Sequence, residues 1–305
     1  MGDRRKIHVR VPASTANLGP GFDALGMALG LYNEIEVELA VNGLSLTAEG
    51  EGAEKLQSLG SRNLVARSIT ETLQKLGVRA DGVRIRMLNR IPLSRGLGSS
   101  SAAAMGGVAA AAALAGATLT PEEMLDLALP YEGHPDNITP ALLGGLTVST
   151  VVDGRVCCVK LPVPMSLKAV AVIPDFRLPT AKARGALPAM VPRTDAVFNV
   201  GRVALFLAAM QAGRLDLLCE ATRDRLHQPY RAPLVPGMEE VLKEGERAGA
   251  LACFLSGAGP TLLALTTEDS GEIGKRMVHC WNERANVIAR VEVFPIDRDG
   301  LQIDG

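Results

Sequence analysis

Between Ala102 and Ala117 the chain is almost entirely alanine and glycine. Alanine is the strongest helix former, so the segment from Ser99 onward reads as a helix. Ala102, Ala103 and Ala104 keep it thin, so other groups can pack close behind it. It is too short, and too poor in Leu and Ile, to span a bilayer. Directly before it stands "PLSRGLGSSS", residues 92–101. Helix N-termini expose unpaired N–H groups and the positive end of the helix dipole, and so attract anions. Gly96 and Gly98 would permit close backbone approach, and Ser99, Ser100 and Ser101 add hydroxyls suited to phosphate oxygens or a magnesium ion. The same residues also suit a capped, buried Ala-rich helix without a ligand. A GxxxxGK[ST] loop is absent, GxGxxG fails at Ser101, and the HRD and DFG signatures are missing. The turn is a phosphate loop of another type, or none.

The chain has 305 residues, enough for two domains with their own cores. Lys plus Arg number 32 against 33 for Asp plus Glu, and aromatics are 3%. That balance offers nothing to a nucleic-acid backbone and little to stack bases on. The five cysteines (157, 158, 219, 253 and 280) lack CxxC spacing and form an odd set. They argue for a reducing compartment and against a disulfide framework or zinc site. The opening "MGDRRKIHVRVPAS" has no apolar leader. The expectation is a soluble cytoplasmic protein.

Period-two runs, "KIHVRVPAS", "NEIEVELAV", "GLSLTAEG" and "GVRIRMLNRIP", predict strands. Leu64, Ile69, Leu73 and Leu76 have helical spacing and end at Gly77. "TPEEMLDLALPYEG" predicts a helix capped by Thr120, with Pro121 first and Glu123 completing a capping box. Pro162 and Pro164 mark a domain boundary near 160, dividing residues 1–160 from 161–305. The second half mixes the strands "LKAVAVIPD", "LACFLSG", "TLLALTT" and "NVIARVEVFPID" with three helices. Strict βαβ alternation is missing, so the predicted class is α+β in both halves.

Three further stretches accompany the Gly-rich turn: "PASTANLGPGFDALGMAL" at 12–29, "EGHPDNITPALLGG" at 132–145 and "SGAGPTLLAL" at 256–265. Together the four resemble the GHMP kinases, and "NLGPGFDALGMAL", "GHPDN" and "PYRAPLVPG" resemble the homoserine kinase family within them. The resemblance runs from residue 7 to about 265 in order and spacing. It implies an N-terminal domain of the ribosomal-protein type, a ferredoxin-like C-terminal domain, and ATP between them. The implied reaction is ATP-dependent phosphorylation of the L-homoserine hydroxyl, a step of threonine biosynthesis. It also implies a phosphate loop from Pro92 through Leu93, Ser94, Arg95, Gly96, Leu97, Gly98, Ser99, Ser100 and Ser101 to Ala102. Asn63 falls on the adenine side, and Gly257 and Gly259 bring backbone against substrate and phosphates. The family tends towards homodimers.

Homoserine carries a carboxylate, an ammonium and a hydroxyl. Arg forks suit a carboxylate, and Arg184 and Arg231 fall where the family has carboxylate-binding arginines. Thr180 lies one helical turn before Arg184. Asp23, in a Gly- and Pro-rich turn, is the candidate for the ammonium, although an Asp there also suits bonds to its own backbone. Asn17 and Asn137 are candidates to orient the hydroxyl, and the resemblance adds His134 to the pocket. Phosphoryl transfer leans on positioning and charge stabilisation. No catalytic base is evident, which implies direct attack by a positioned hydroxyl; the adjacent Asp136 is the alternative. For Mg2+ the resemblance implies Ser99 or Ser100 with one acid. Glu132 ranks ahead of Asp126, which stands eight residues before the histidine where the family carries Glu. Alternatives are a mevalonate-type kinase, a nucleic-acid-binding module, or a relative that binds ATP without transfer.

Overall fold

The computed structural model describes residues 6–268 and 270–305. Residues 1–5, part of the stretch read as lacking a leader, lie outside that range. The long strands β1 (Lys6–Ala16) and β2 (Leu25–Ala40) pair antiparallel, followed by β3 (Gly43–Gly50). In β1, Ile7, Val9 and Val11 are buried while Lys6 and Arg10 are exposed, the alternation expected of a strand with one wet face. That wet face carries ion pairs across strands, Lys6–Glu36 at 2.8 Å and Arg90–Glu34 at 2.6 Å. From Val11 to Ala16 every residue is buried, because the strand there runs under other elements.

The helices α1 (Ala53–Ser58) and α2 (Leu64–Lys75) carry the chain back to β4 (Gly82–Asn89), which pairs parallel with β3 and antiparallel with β2. α3 (Ser99–Ala115) packs on β1 and α2, and is buried over most of its length. α4 (Pro121–Glu132) starts with the expected capping box: Thr120 Oγ1 accepts from Glu123 N, and Glu123 accepts from Thr120 N. α5 (Ile138–Leu143) leads into the hairpin β5 (Leu146–Val152) and β6 (Arg155–Leu161), joined to β2 through β5.

The second sheet begins with β7 (Lys168–Pro174). The helices α6 (Thr180–Gly185), α7 (Arg193–Ala212), α8 (Leu218–Ala221), α9 (Gln228–Arg231) and α10 (Met238–Arg247) follow it. Next come β8 (Ala252–Leu255), β9 (Leu262–Thr266), α11 (Ser270–Ala285) and β10 (Ala289–Pro295). Its antiparallel order is β10-β7-β9-β8, fourth-first-third-second in sequence, which is the ferredoxin-like arrangement. The chain then crosses back, and β11 (Gln302–Asp304) pairs with β1 in the first sheet. The class is α+β.

The buried face of α2 differs from the leucine spacing read in the sequence. It consists of Val65, Ala66, Ser68, Ile69, Thr72 and Leu73, with Leu64 and Leu76 only partly buried. α3 lies so close that a Cβ on Gly107 would stand 1.8 Å from Ser68 Oγ. Small and polar residues therefore occupy that face, and they carry no hydrophobic signal. Among the described residues no helix is long and apolar enough to cross a membrane.

Candidate active site

Three loops meet over the buried end of β1. The first is the turn after it, where Asn17, Leu18 and Asp23 have positive φ and Gly19 has φ 81°. A Cβ on Gly19 would lie 2.1 Å from Thr222 O, so only glycine lets this turn sit on α8. The second is the 92–98 loop, and the third is 256–261, between β8 and β9. Ser256 Oγ reaches Thr15 Oγ1 (2.8 Å) and Gly96 O (2.6 Å), Gly257 N donates to Ala16 O (3.1 Å), and Thr261 N donates to Arg95 O (3.2 Å). These bonds stitch the two sheets together around a cavity of about 140 Å³.

The cavity is lined by Asn17, Asp23, Pro92, Ser94 to Ser101, Glu132, His134, Asp136, Asn137, Thr180, Arg184, Arg231, Gly257 and Ala258. Residues expected from six separate stretches thus share one space. Leu93 and Asn63 line a neighbouring groove of about 240 Å³ that shares Ser94, Ser99 and Ser100 with it. Ala102 is buried, and Gly259 lies behind Gly96, so neither belongs to the lining. Asp126 points elsewhere: its Oδ1 accepts from Val156 N at 2.9 Å, fixing α4 to β6.

The glycines of the turn serve a different contact from the one read in the sequence. A Cβ on Gly96 would meet Ser256 O at 2.2 Å, and one on Gly98 would meet Ser14 Oγ at 2.0 Å. The close approach is protein against protein. Gly98 caps α3 with φ 71° and no side chain closes that end, so the first amides of this 17-residue helix face the cavity rim. Arg95 is turned away. Its guanidinium donates to Pro174 O (2.8 Å) and Asp175 O (2.5 Å), tying the loop to the end of β7. Asn63 is 1% exposed, with Oδ1 accepting from Val65 N and Nδ2 donating to Leu56 O, so its side chain shapes the groove from beneath.

The charged residues are paired differently from their separate assignments. Asp23 takes both arms of Arg184, at 3.0 and 2.6 Å, and this bond raises the Arg184 pKa. Among the described residues Arg231 has no carboxylate bonded to it: it donates to Ala183 O (3.3 Å), His227 Nδ1 (3.2 Å) and Gly257 O (3.0 Å). Burial, with Arg184 nearby, pushes its pKa down to about 10. His134 Nδ1 donates to Asp136, which is 2% exposed. Burial opposes charge on that imidazole, but the carboxylate outweighs it and the pKa is raised.

The two asparagines are held by the protein. Asn17 Nδ2 donates to Gly257 O (2.9 Å) and its Oδ1 accepts from Asp23 N (3.0 Å). Asn137 accepts from Ser14 Oγ at 2.9 Å and donates to Asp136 at 3.3 Å. Glu132, at the end of α4, accepts from Ser100 Oγ and, at 2.6 Å, from Ser101 Oγ. That is a set of hard oxygen donors at the head of α3. Asp23, His134 and Asp136 also offer ligand atoms within 4.8 Å of one another. Both carboxylates there already hold cationic or N–H partners, which suits an organic cation as well as a metal.

Residues 63–145 match the GHMP kinases N-terminal domain, and residues 206–283 match the GHMP kinases C-terminal domain. A homoserine kinase of Moorella thermoacetica is 43% identical, covering 97% of this chain and 99% of its own. One of Caldanaerobacter subterraneus is 46% identical, covering 97% and 95%. The chain belongs to the homoserine kinase family of the GHMP kinases. The crystal structure of homoserine kinase from Cytophaga hutchinsonii superposes with a TM-score of 0.89 at 31% identity, covering 100% of this chain and 99% of that one. A mevalonate kinase of L. major, solved with R-mevalonate, reaches a TM-score of 0.73 at 18% identity, covering 95% and 96%; that likeness is one of fold alone.

Beyond the family motifs, the site depends on residues the sequence did not single out. Phe22 lies under both arginines, with each guanidinium carbon 5.4 Å from its ring centre. His227, Asp224 and Asn199 are buried behind Arg231 and the 17–23 turn. Phe22, inside "GPGFDALG", and His227, four residues before Arg231 in "HQPYR", sat in motifs that could have flagged them.

Proposed function

We propose that the chain transfers the γ-phosphoryl group of ATP to the side-chain hydroxyl of L-homoserine, giving ADP and O-phospho-L-homoserine. One observation carries this reading: two arginines, an Asp and an Asn converge with the open N-terminus of a long helix on a single small cavity. The zwitterionic end of homoserine needs both charges answered at once, and the Asp23–Arg184 pair with the adjacent Arg231 answers both. Arg231 and Arg184 take the carboxylate, with Thr180 beside them, while Asp23 takes the ammonium. The amides and hydroxyls of residues 98–101 take the phosphates, and the groove beside Asn63 takes the adenine.

Asn137, braced by Ser14 and Asp136, holds the acceptor hydroxyl, and Asn17 holds the wall formed by Gly257. Asp136 is committed to His134 and Asn137, so among the described residues lining the cavity no carboxylate stands free as a base. The hydroxyl oxygen attacks phosphorus while its proton passes to the phosphate or to solvent. Glu132 with the Ser99 and Ser100 hydroxyls fits the oxygen-donor preference of Mg2+, which when bound would neutralise phosphate charge. Residues 1–160 form the nucleotide-binding unit in this reading and 161–305 supply Thr180, the arginines and the 256–261 loop.

The test is ADP release with L-homoserine as sole acceptor, with and without magnesium, against mevalonate and galactose as rival acceptors. Turnover confined to homoserine, with phosphorus NMR showing a phosphomonoester, supports the reading. Faster turnover of mevalonate would sink it.

A further inference from the structure

Behind Arg231 lies a buried polar chain, His227, Asp224 and Asn199, none of which lines the cavity. His227 is fully buried; its Nε2 lies 2.7 Å from Gly19 O and 3.5 Å from an Asp224 carboxylate oxygen. Both neighbours only accept, so Nε2 carries the proton. Nδ1 faces Arg231 Nη1 at 3.2 Å, and a guanidinium only donates, so Nδ1 is a bare acceptor. The tautomer is fixed from both sides. Burial also pushes the His227 pKa down, against the pull of Asp224 and Asp23 and with that of Arg231. Asp224 in turn accepts from the N–H groups of Leu226, His227 and Gln228 at 2.8, 3.0 and 2.6 Å, fixing the head of α9. Asn199 on α7 donates to both Asp224 Oδ1 (2.7 Å) and Pro20 O (3.0 Å). The turn bearing Asp23 and the helix bearing Arg231 are thus held in one frame.

We infer that His227 is a positioning residue, whose Nδ1 lone pair aims the Arg231 guanidinium at the carboxylate of the amino-acid substrate. The other anchors of Arg231 engage Nε and Nη1, and no hydrogen bond among the described residues engages Nη2, the nitrogen left for a ligand. The inference rests on the reading of Arg231 given above.

Two substitutions separate aiming from mere packing. His227→Asn places an amide oxygen where Nδ1 stands and loses the donor to Gly19. His227→Gln places an amide N–H where Nε2 stands and loses the acceptor for Arg231. The expected result is a KM for L-homoserine at least tenfold higher in His227→Gln than in His227→Asn. The KM for ATP should move less than twofold between them. With 3-aminopropan-1-ol, which is homoserine without its carboxylate, the two variants should turn over alike. Equal homoserine KM values, or a larger rise in His227→Asn, overturn the role of His227. A wild-type enzyme that releases no ADP with L-homoserine overturns the substrate reading instead. Nitrogen-15 NMR of the wild-type imidazoles needs no variant to fold. A neutral ring protonated at Nε2, with an Nδ1 resonance that moves on adding L-homoserine, supports the inference; a proton on Nδ1 at pH 7 overturns it.

Discussion

Arg231 is 1% exposed, yet among the described residues its bonds go to two carbonyls and an imidazole and to no carboxylate. A cation whose pKa is pushed below its unfolded value weakens the fold wherever it stays charged. That cost is relieved only as pH rises through about 10. Removing the charge relieves that cost but leaves Ala183 O and His227 Nδ1 buried without their donor, a penalty of about 1–3 kcal/mol. The two effects oppose each other, so Arg231→Met should melt within a few degrees of wild type, while the homoserine KM rises roughly a hundredfold, about 3 kcal/mol for a lost buried charge contact. A melting temperature several degrees lower with an unchanged KM would contradict this. Glu132→Gln keeps the shape that bonds Ser100 and Ser101 but removes the charge. It should raise the magnesium concentration for half-maximal activity by roughly tenfold and leave the homoserine KM nearly unaltered, as a titration of activity against magnesium will show. The side chains that face the cavity were legible because they stand inside Gly- and Pro-rich motifs. Their pairing was not: a sequence gives residue types, and nothing in "GPGFDALG" or "TAKARG" says that Asp23 and Arg184 hold each other. Asn199 stands 25 residues before Asp224, on α7, and its link to Asp224 and His227 acquires meaning only through folding.

Strands β1 to β4 were legible at the scale of elements through their period two and β7 to β10 as short strand-like runs, whereas the hairpin β5–β6 and the closing β11 were not read. The α4 boundary was legible too, since Thr120 and Glu123 satisfy each other locally. The packing of α3 was only half legible. Its alanines announced a thin helix but not what comes close to it, which is α2 and the sheet. Gly106 faces Ile35 and Val11 at 2.6 and 2.9 Å from its Cβ position, and Gly107 faces Ser68 at 1.8 Å. A methyl at Gly107 has no room without displacing α2, and overpacking of this kind costs about 1–3 kcal/mol. Gly107→Ala should lose about that much stability in urea unfolding, and adding Ser68→Ala should restore most of it. Failure of the second substitution to help would mean that the backbone, and not the Ser68 hydroxyl, sets the spacing. Because the head of α3 lines the cavity at the helix's other end, a tilt of this helix should also raise the KM for ATP in the single variant.

The two sheets share one apolar cluster across the whole molecule. It runs without a break from Ile7, Val9 and Val11 of β1 to Ala169 and Ala171 of β7, Phe206 of α7, and Phe254 and Leu263 of the second sheet. The closing strand β11 pairs with β1, and Leu29 bridges Ile296 between the sheets. Domains joined by a thin polar interface move and melt separately, whereas a continuous core couples them. Heating should therefore unfold this chain in a single calorimetric transition, with calorimetric and van't Hoff enthalpies in agreement. The fragment 1–161, which keeps the first six strands but loses β11 and the second sheet, should show no cooperative melt. Cutting there bares the edge of β1 that pairs with β11 and removes the 256–261 loop from Thr15, Ala16 and Gly96, so the cavity-facing end of α3 loses the wall that sets its loop. Two resolved transitions in the intact chain, or a cooperatively melting fragment that still binds ATP, would show instead that the nucleotide unit stands alone. The shared core would then be a contact between finished domains.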